Sequence, residues 1–164
     1  MRQTAWPATA GALLCSTLLL WPVAGSAKPT AHRQGTAASV FTCSVTKVHD
    51  GDGPIWCAER GLDGKPIKIR LHAVAARELD ETCSPGHPCP PATGAAAQRA
   101  LERMALGKTL RCKATGTSFG RVTAWCWTRA GVELNCAMVK SGTALRWAKF
   151  DRDRRLCRFG RPDP

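Results

Sequence analysis

The chain has 164 residues, with 24 Lys and Arg against 12 Asp and Glu, a formal net charge of +12. That length admits one domain with one hydrophobic core. The basic excess favours a polyanionic partner, nucleic acid or an anionic surface, although solubility alone also makes exported proteins basic.

The N-terminal stretch reads apart from the rest. Arg2, an apolar run from Ala10 to Val23 and the small residues Ala24-Gly25-Ser26-Ala27 predict a secretory signal peptide over residues 1–27. The run is too short for a transmembrane helix, and Leu14 ahead of Cys15 does not suit a lipoprotein anchor. Residues 28–39 are polar and rich in Ala, Thr and Gly, the composition of a flexible arm. The folded domain is expected over 40–152, followed by a basic tail over 153–164, in a protein that is secreted or periplasmic, with a monomer as the default.

Phe41 to Val48, rich in Thr and Val, runs into Asp50-Gly51-Asp52-Gly53, and Pro54 to Ala58 resumes the pattern; the two runs predict a hairpin. In the next strand Ile67, Ile69 and Leu71 share one face, which sends Lys68, Arg70 and His72 to the other and holds Arg70 away from the main apolar face. Glu81 to Ala92 is a Pro-, Gly- and Cys-rich loop. Thr93 is a candidate N-cap for a helix to Leu106, which Gly107 ends. Thr109 to Lys113 and Val122 to Thr128 predict a second hairpin. Leu134, Ala137, Met138 and Ser141 then recur at helical spacing up to Gly142. From Ala148 no periodicity is visible. This order predicts an α+β fold, a small five-stranded closed barrel with two or three packed helices.

Without Cys15 of the leader, eight cysteines remain: Cys43, Cys57, Cys83, Cys89, Cys112, Cys126, Cys136 and Cys157. An even set in an exported chain, with no C-x-x-C pair, favours disulfides over a metal site. Cys112 and Cys126 are equidistant from Phe119, so a three-residue turn at Ser118-Phe119-Gly120 sets them opposite each other. Cys83 and Cys89 bracket a Ser-Pro-Gly loop. Sequence leaves the connectivity open; Cys43 with Cys57 and Cys136 with Cys157 complete one arrangement.

The chemistry-bearing residues concentrate between His49 and Glu78. Asp50 and Asp52 in a Gly-rich turn offer hard oxygen ligands to a divalent cation, and Arg70 offers a planar fork matched to phosphate. Arg121, in Ser118-Phe119-Gly120-Arg121, supplies a second guanidinium if the fold returns it to the first. The set points to phosphodiester chemistry. Each piece alone has a plainer explanation, since Asp-Gly-Asp-Gly is turn chemistry and Arg70 with Glu78 makes an ordinary surface pair. His49 and His72 have no supporting spacing and are expected to be structural or exposed. Trp56, Trp125, Trp127 and Trp147 suit base stacking, with core packing the commoner fate for most of them.

Taken in order, Val48-His49-Asp50-Gly51-Asp52, Ile69-Arg70-Leu71 leading to Glu78, Phe119-Gly120-Arg121, and Leu134-Asn135 through Met138-Val139 with Ser141-Gly142 resemble the staphylococcal nuclease (thermonuclease-like) family. The resemblance covers about Val40 to Arg152. It implies an OB-fold barrel that cleaves DNA and RNA with one calcium ion on the phosphate. By position, Asp52 would ligate calcium, Asp50 would hydrogen-bond a metal-bound water, Arg70 and Arg121 would grip the scissile phosphate, and Glu78 would orient or deprotonate the attacking water. The family's second calcium carboxylate falls on Ala75, and Arg77 replaces a proline. The metal half is therefore thinner than the phosphate half, with the Ala76 backbone carbonyl, water, Asp80 or Glu81 as candidate substitutes. The first expectation is thus a calcium-dependent nuclease. The alternatives are an OB-fold module that binds nucleic acid or another polyanion without cutting it, and an exported interaction domain.

Overall fold

The computed structural model describes residues 39–153 and 155–158. The expected leader, nearly all of the arm and most of the tail lie outside the described residues. The elements are β1 (Val40–Val48), β2 (Ile55–Arg60), β3 (Pro66–Leu71), β4 (Val74–Ala75), α1 (Gly94–Ala105), β5 (Thr109–Ser118), β6 (Arg121–Thr128), α2 (Leu134–Lys140) and β7 (Leu145–Arg146). Five strands close a barrel in the order β1-β2-β3-β6-β5, and β4 pairs with β7 in a separate ribbon. Every barrel pair is antiparallel except β3 with β6. The result is a small α+β barrel with two helices among the described residues.

The strands alternate as a half-buried sheet requires. Cys43, Val45, Ile55, Cys57, Ile69, Leu71, Leu110, Cys112, Ala124 and Cys126 are buried in one core. In β1 the pairing shifts register between Val45 and Lys47, which exposes both Thr46 and Lys47 and returns Val48 to the interior. The helix α1 starts where Thr93 Oγ1 accepts from the Ala96 N–H (3.1 Å), buries Ala97, Ala100, Leu101 and Ala105, and stops at Gly107 with φ 71°. The short helix α2 buries Leu134, Asn135, Cys136 and Met138.

The second hairpin reaches the expected cysteine pairing by another route. Its loop is two residues, Phe119 and Gly120, both at positive φ (49° and 71°), with Ser118 opposite Arg121. Unbroken, that turn would set Cys112 against Trp127. A register shift between Ala114 and Gly116 absorbs one residue and brings Cys112 opposite Cys126.

Four disulfides form: Cys43 to Cys57, Cys83 to Cys89, Cys112 to Cys126 and Cys136 to Cys157. Disulfides in this number are characteristic of chains that meet oxidising surroundings. The last bond, with buried Leu156, carries the packed body past Arg152 into the stretch expected to be tail. Buried Asp151 anchors that stretch, its Oδ1 accepting from the N–H groups of Arg155 (2.6 Å) and Leu156 (3.1 Å). Among the described residues no helix is long and apolar enough to cross a membrane.

Candidate functional site

The Asp50 turn, the end of β3 and the start of α1 meet at one end of the barrel. The Leu71 N–H donates to the Asp52 carbonyl (2.9 Å), so the turn lies along β3. Gly51 is required there, because a Cβ would fall 2.3 Å from the Ala97 Cβ and 2.7 Å from that of Ala76. Gly94 has the same role at the helix start, where a Cβ would sit 2.0 Å from the Glu78 carbonyl oxygen. Small residues therefore bring the aspartate turn, the Glu78 segment and α1 into direct contact.

Arg70 leaves the barrel interior, as its position in the strand predicts, but it is buried rather than free. It is 8% exposed and forms an ion pair with Asp52, which is 3% exposed. Its Nη1 donates to Asp52 Oδ1 and its Nη2 to the Val74 carbonyl (3.4 Å). Asp52 Oδ2 accepts from the Ala76 N–H (2.9 Å), and Asp50 Oδ1 accepts from the Asp52 N–H (3.1 Å). Burial pushes the Asp52 carboxyl up, Asp50 and Glu78 push the same way, and Arg70 and the Ala76 N–H oppose them.

Arg70 and Arg121 do come together. They sit on the adjacent parallel strands β3 and β6, where Ile69 pairs with Val122 and Arg70 with Thr123, and both line one cavity of about 370 Å³. The Arg121 Nε donates to the Ser118 carbonyl (3.3 Å), and its terminal amino groups meet no acceptor among the described residues. The cavity is also walled by His72, His87, Thr115, Phe119, Trp147 and Phe150. Glu78 is not among the residues lining this cavity; it is half-buried, with Oε1 accepting from the Ser84 hydroxyl (3.2 Å).

The donors do not fit calcium as arranged. Calcium takes roughly six to eight oxygens at about 2.3–2.6 Å. Asp52 has an oxygen on Arg70 and the other on the Ala76 N–H, so the N–H of Ala76 is the group that meets the carboxylate. Ala75 is fully buried in β4 and brings no oxygen from its side chain. Among the described residues the one group of three ligand-type side chains is Cys43, Cys57 and Glu59, and its two sulfurs are joined to each other. The candidate substitutes are occupied locally. Asp80 accepts from Thr82, and Glu81 accepts from the Gly94 N–H (3.2 Å). Arg77 ties down the neighbouring loop through the carbonyls of Glu81 (2.8 Å) and Pro90 (2.9 Å).

The two cavity histidines differ. His72 is bound at both ring nitrogens, with Nε2 2.8 Å from the Phe150 carbonyl and Nδ1 2.9 Å from the Thr115 hydroxyl. A carbonyl only accepts, so Nε2 carries the proton, Nδ1 accepts from Thr115, and burial lowers the affinity of the ring for a second proton. His72 is thus a clamp on the 147–151 segment. His87, inside the ring closed by Cys83 and Cys89, packs on Trp147 with ring centroids 4.0 Å apart. Burial lowers its pKa, Arg70, Arg121 and Lys149 act in the same direction, and Glu78 opposes them. No periodicity marks His87; its signal is a histidine between two prolines in a seven-residue disulfide ring, a rigid mount for a side chain.

Trp125 and Trp127 are core residues, as expected for most of the tryptophans, and His49 is exposed. On the outer face Trp56 stands between Lys47 and Lys68, whose ammonium groups lie 5.7 and 4.2 Å from its ring. Cross-strand pairing aligns the three, Lys47 with Trp56 and Trp56 with Lys68. Compared with known proteins, the chain matches no protein-family model and no curated protein.

Proposed function

We propose that the protein is an exported nuclease of the staphylococcal nuclease type, an OB-fold barrel that hydrolyses phosphodiester bonds of DNA or RNA. The convergence of Arg70 and Arg121 on one cavity carries this reading. The barrel order, in which the third strand pairs in parallel with the fifth and the fourth returns to the first, supports the OB assignment. Secretion rests on the predicted leader and on four disulfides.

Two guanidinium groups within one partly closed cavity offset the charge of a phosphodiester and gain from the low local dielectric. Arg121 brings unpaired donors. Arg70 has five N–H groups, of which Asp52 and Val74 take two, so it contacts a phosphate without leaving Asp52. The Lys47, Trp56 and Lys68 row crosses β1, β2 and β3, and Lys68 ends one residue short of the Ile69 and Val122 pair beside Arg121. That row is a path along which a nucleic-acid backbone is neutralised as it approaches the cavity.

The test is nicking of plasmid and of single-stranded DNA and RNA by the oxidised protein, with EDTA, a calcium titration, and the Arg121→Ala and Ala75→Asp variants. Cutting by the native chain that falls at least about 100-fold in Arg121→Ala supports the reading. The occupied oxygens of Asp52 favour a second reading, a module that holds polyanions without cleavage. Salt-sensitive binding without cutting, or cutting only in Ala75→Asp with calcium, establishes that module and refutes the nuclease.

A further inference from the structure

A phosphodiester held by Arg70 and Arg121 needs a group that removes a proton from the attacking water. Glu78, expected in that role, does not line the cavity and has one oxygen on Ser84. Asp52 is sealed against Arg70 and the Ala76 N–H. His72 has both nitrogens engaged. His87 is the remaining cavity side chain able to accept a proton, and no hydrogen bond occupies its ring nitrogens among the described residues.

We propose that His87 is the general base of the nuclease reaction, a catalytic residue facing the phosphate held by Arg70 and Arg121, with Glu78 as a positioning residue. The assignment rests on the nuclease reading above. Several contacts hold the imidazole in place. The Cys83 to Cys89 bond closes its loop, Arg77 ties the base of that loop through the Glu81 and Pro90 carbonyls, and Ser84 in the same loop donates to Glu78. Trp147 backs the ring from the other side. Its backbone N–H donates to the Ala73 carbonyl (2.8 Å), and its ring makes an edge contact with Phe150 at 4.6 Å.

The charged groups that act on His87 come from every neighbouring element: Arg70 on β3, Arg121 on β6, Lys149 after β7 and Glu78 after β4. Burial and the three cations keep the ring neutral at neutral pH, which is the state a base needs. In the step, the neutral imidazole takes one proton from water as the water oxygen bonds to phosphorus. The bond from phosphorus to the departing nucleotide oxygen breaks, and that oxygen takes a proton from solvent. The imidazolium then returns its proton to solvent, so one water is consumed per bond cut.

The experiment measures kcat/KM against pH for the oxidised native protein, His87→Ala and Glu78→Gln, on whichever nucleic acid the native chain cuts, with imidazole added to the alanine variant. Thermal melts confirm that each variant is folded. The native rate is expected to rise through a single limb below pH 6.5. His87→Ala should lose about 100-fold or more, lose that limb, and regain rate in proportion to added imidazole. Glu78→Gln should move the limb to lower pH, because the removed carboxylate is the one that favours the imidazolium. A folded His87→Ala variant that cuts as the native chain does, or that is slow but keeps the limb and ignores imidazole, overturns this assignment and leaves the nuclease standing. Absence of cutting by the native protein refutes the nuclease, and the assignment with it.

Discussion

Replacing Asn135 by leucine tests how the site is tied to the core. Asn135 is wholly buried on α2, and its side chain reaches three backbone groups. Oδ1 accepts from the Cys126 N–H (3.1 Å), and Nδ2 donates to the carbonyls of His72 (2.9 Å) and Ala124 (3.0 Å). The Ala124 carbonyl also accepts from the His72 N–H (2.9 Å) and keeps that partner. Asn135→Leu therefore strands two groups, the buried Cys126 N–H and the part-buried His72 carbonyl. At about 1–3 kcal/mol for each, partly offset by the extra apolar side chain, the net loss is roughly 2–4 kcal/mol. Asn135→Asp should be worse, since it sets a carboxylate oxygen against two carbonyls. Urea unfolding of the oxidised proteins at constant m-value reads both. A leucine variant within about 1 kcal/mol of native, or an aspartate variant no worse than leucine, would refute this accounting.

Other perturbations separate independent features. Phe119 is 96% exposed and held at φ 49°, so Phe119→Asn relieves left-handed strain without losing packing. It should raise stability by about 0.5–1 kcal/mol, and an unchanged or lower Tm in thermal melts contradicts this. Burial, with Asp151 nearby, pushes the Glu133 carboxyl up from 4.5 to about 7, against the pull of Lys140. The stability that the protonated acid confers is complete below pH 4.5 and is lost as pH rises to 7. Glu133→Gln should flatten that slope and gain about 1–2 kcal/mol at neutral pH, discounted for partial exposure, whereas an unchanged slope in urea titrations at several pH values sinks the argument. Lys68→Ala should weaken nucleic-acid binding and lower the log–log salt slope by about 1. A slope equal to native in anisotropy titrations takes Lys68 off the phosphate path.

Local chemistry made much of this fold legible. Thr93 and Gly107 bound α1 where capping rules put them, and the symmetry of Cys112 and Cys126 about Phe119 named a correct pair. The route to that pair was not legible, because a two-residue turn with a bulge and a three-residue turn without one give the same register. The burial of Arg70 was hidden for a different reason. Alternation says only that its side chain leaves the barrel interior, and the Asp52 turn and the Val74 carbonyl that engage it lie elsewhere in the chain. His87 and the 147–157 segment were least visible. Both are held by disulfides, aromatic contact and one buried aspartate rather than by any repeating apolar pattern.

Arg70 and Arg121 face the same cavity but carry different loads, and this decides which of them reports on chemistry. Arg70 neutralises a buried carboxylate, and removing one partner of a buried pair costs roughly 3–5 kcal/mol. Arg70→Ala therefore disturbs the turn bearing Asp50 and Asp52, and its loss of activity would not distinguish a strut from a phosphate ligand. Arg121 is half-exposed and among the described residues donates only to the Ser118 carbonyl, so its removal should leave the barrel intact and take from the cavity the guanidinium with the most open donors. On the nuclease reading, a phosphodiester in this cavity would find its open donors mainly on Arg121, with Arg70 adding the N–H groups that Asp52 leaves over. The two guanidinium groups therefore differ in attachment, Arg70 fixed by its buried acid and Arg121 held by one backbone carbonyl among the described residues.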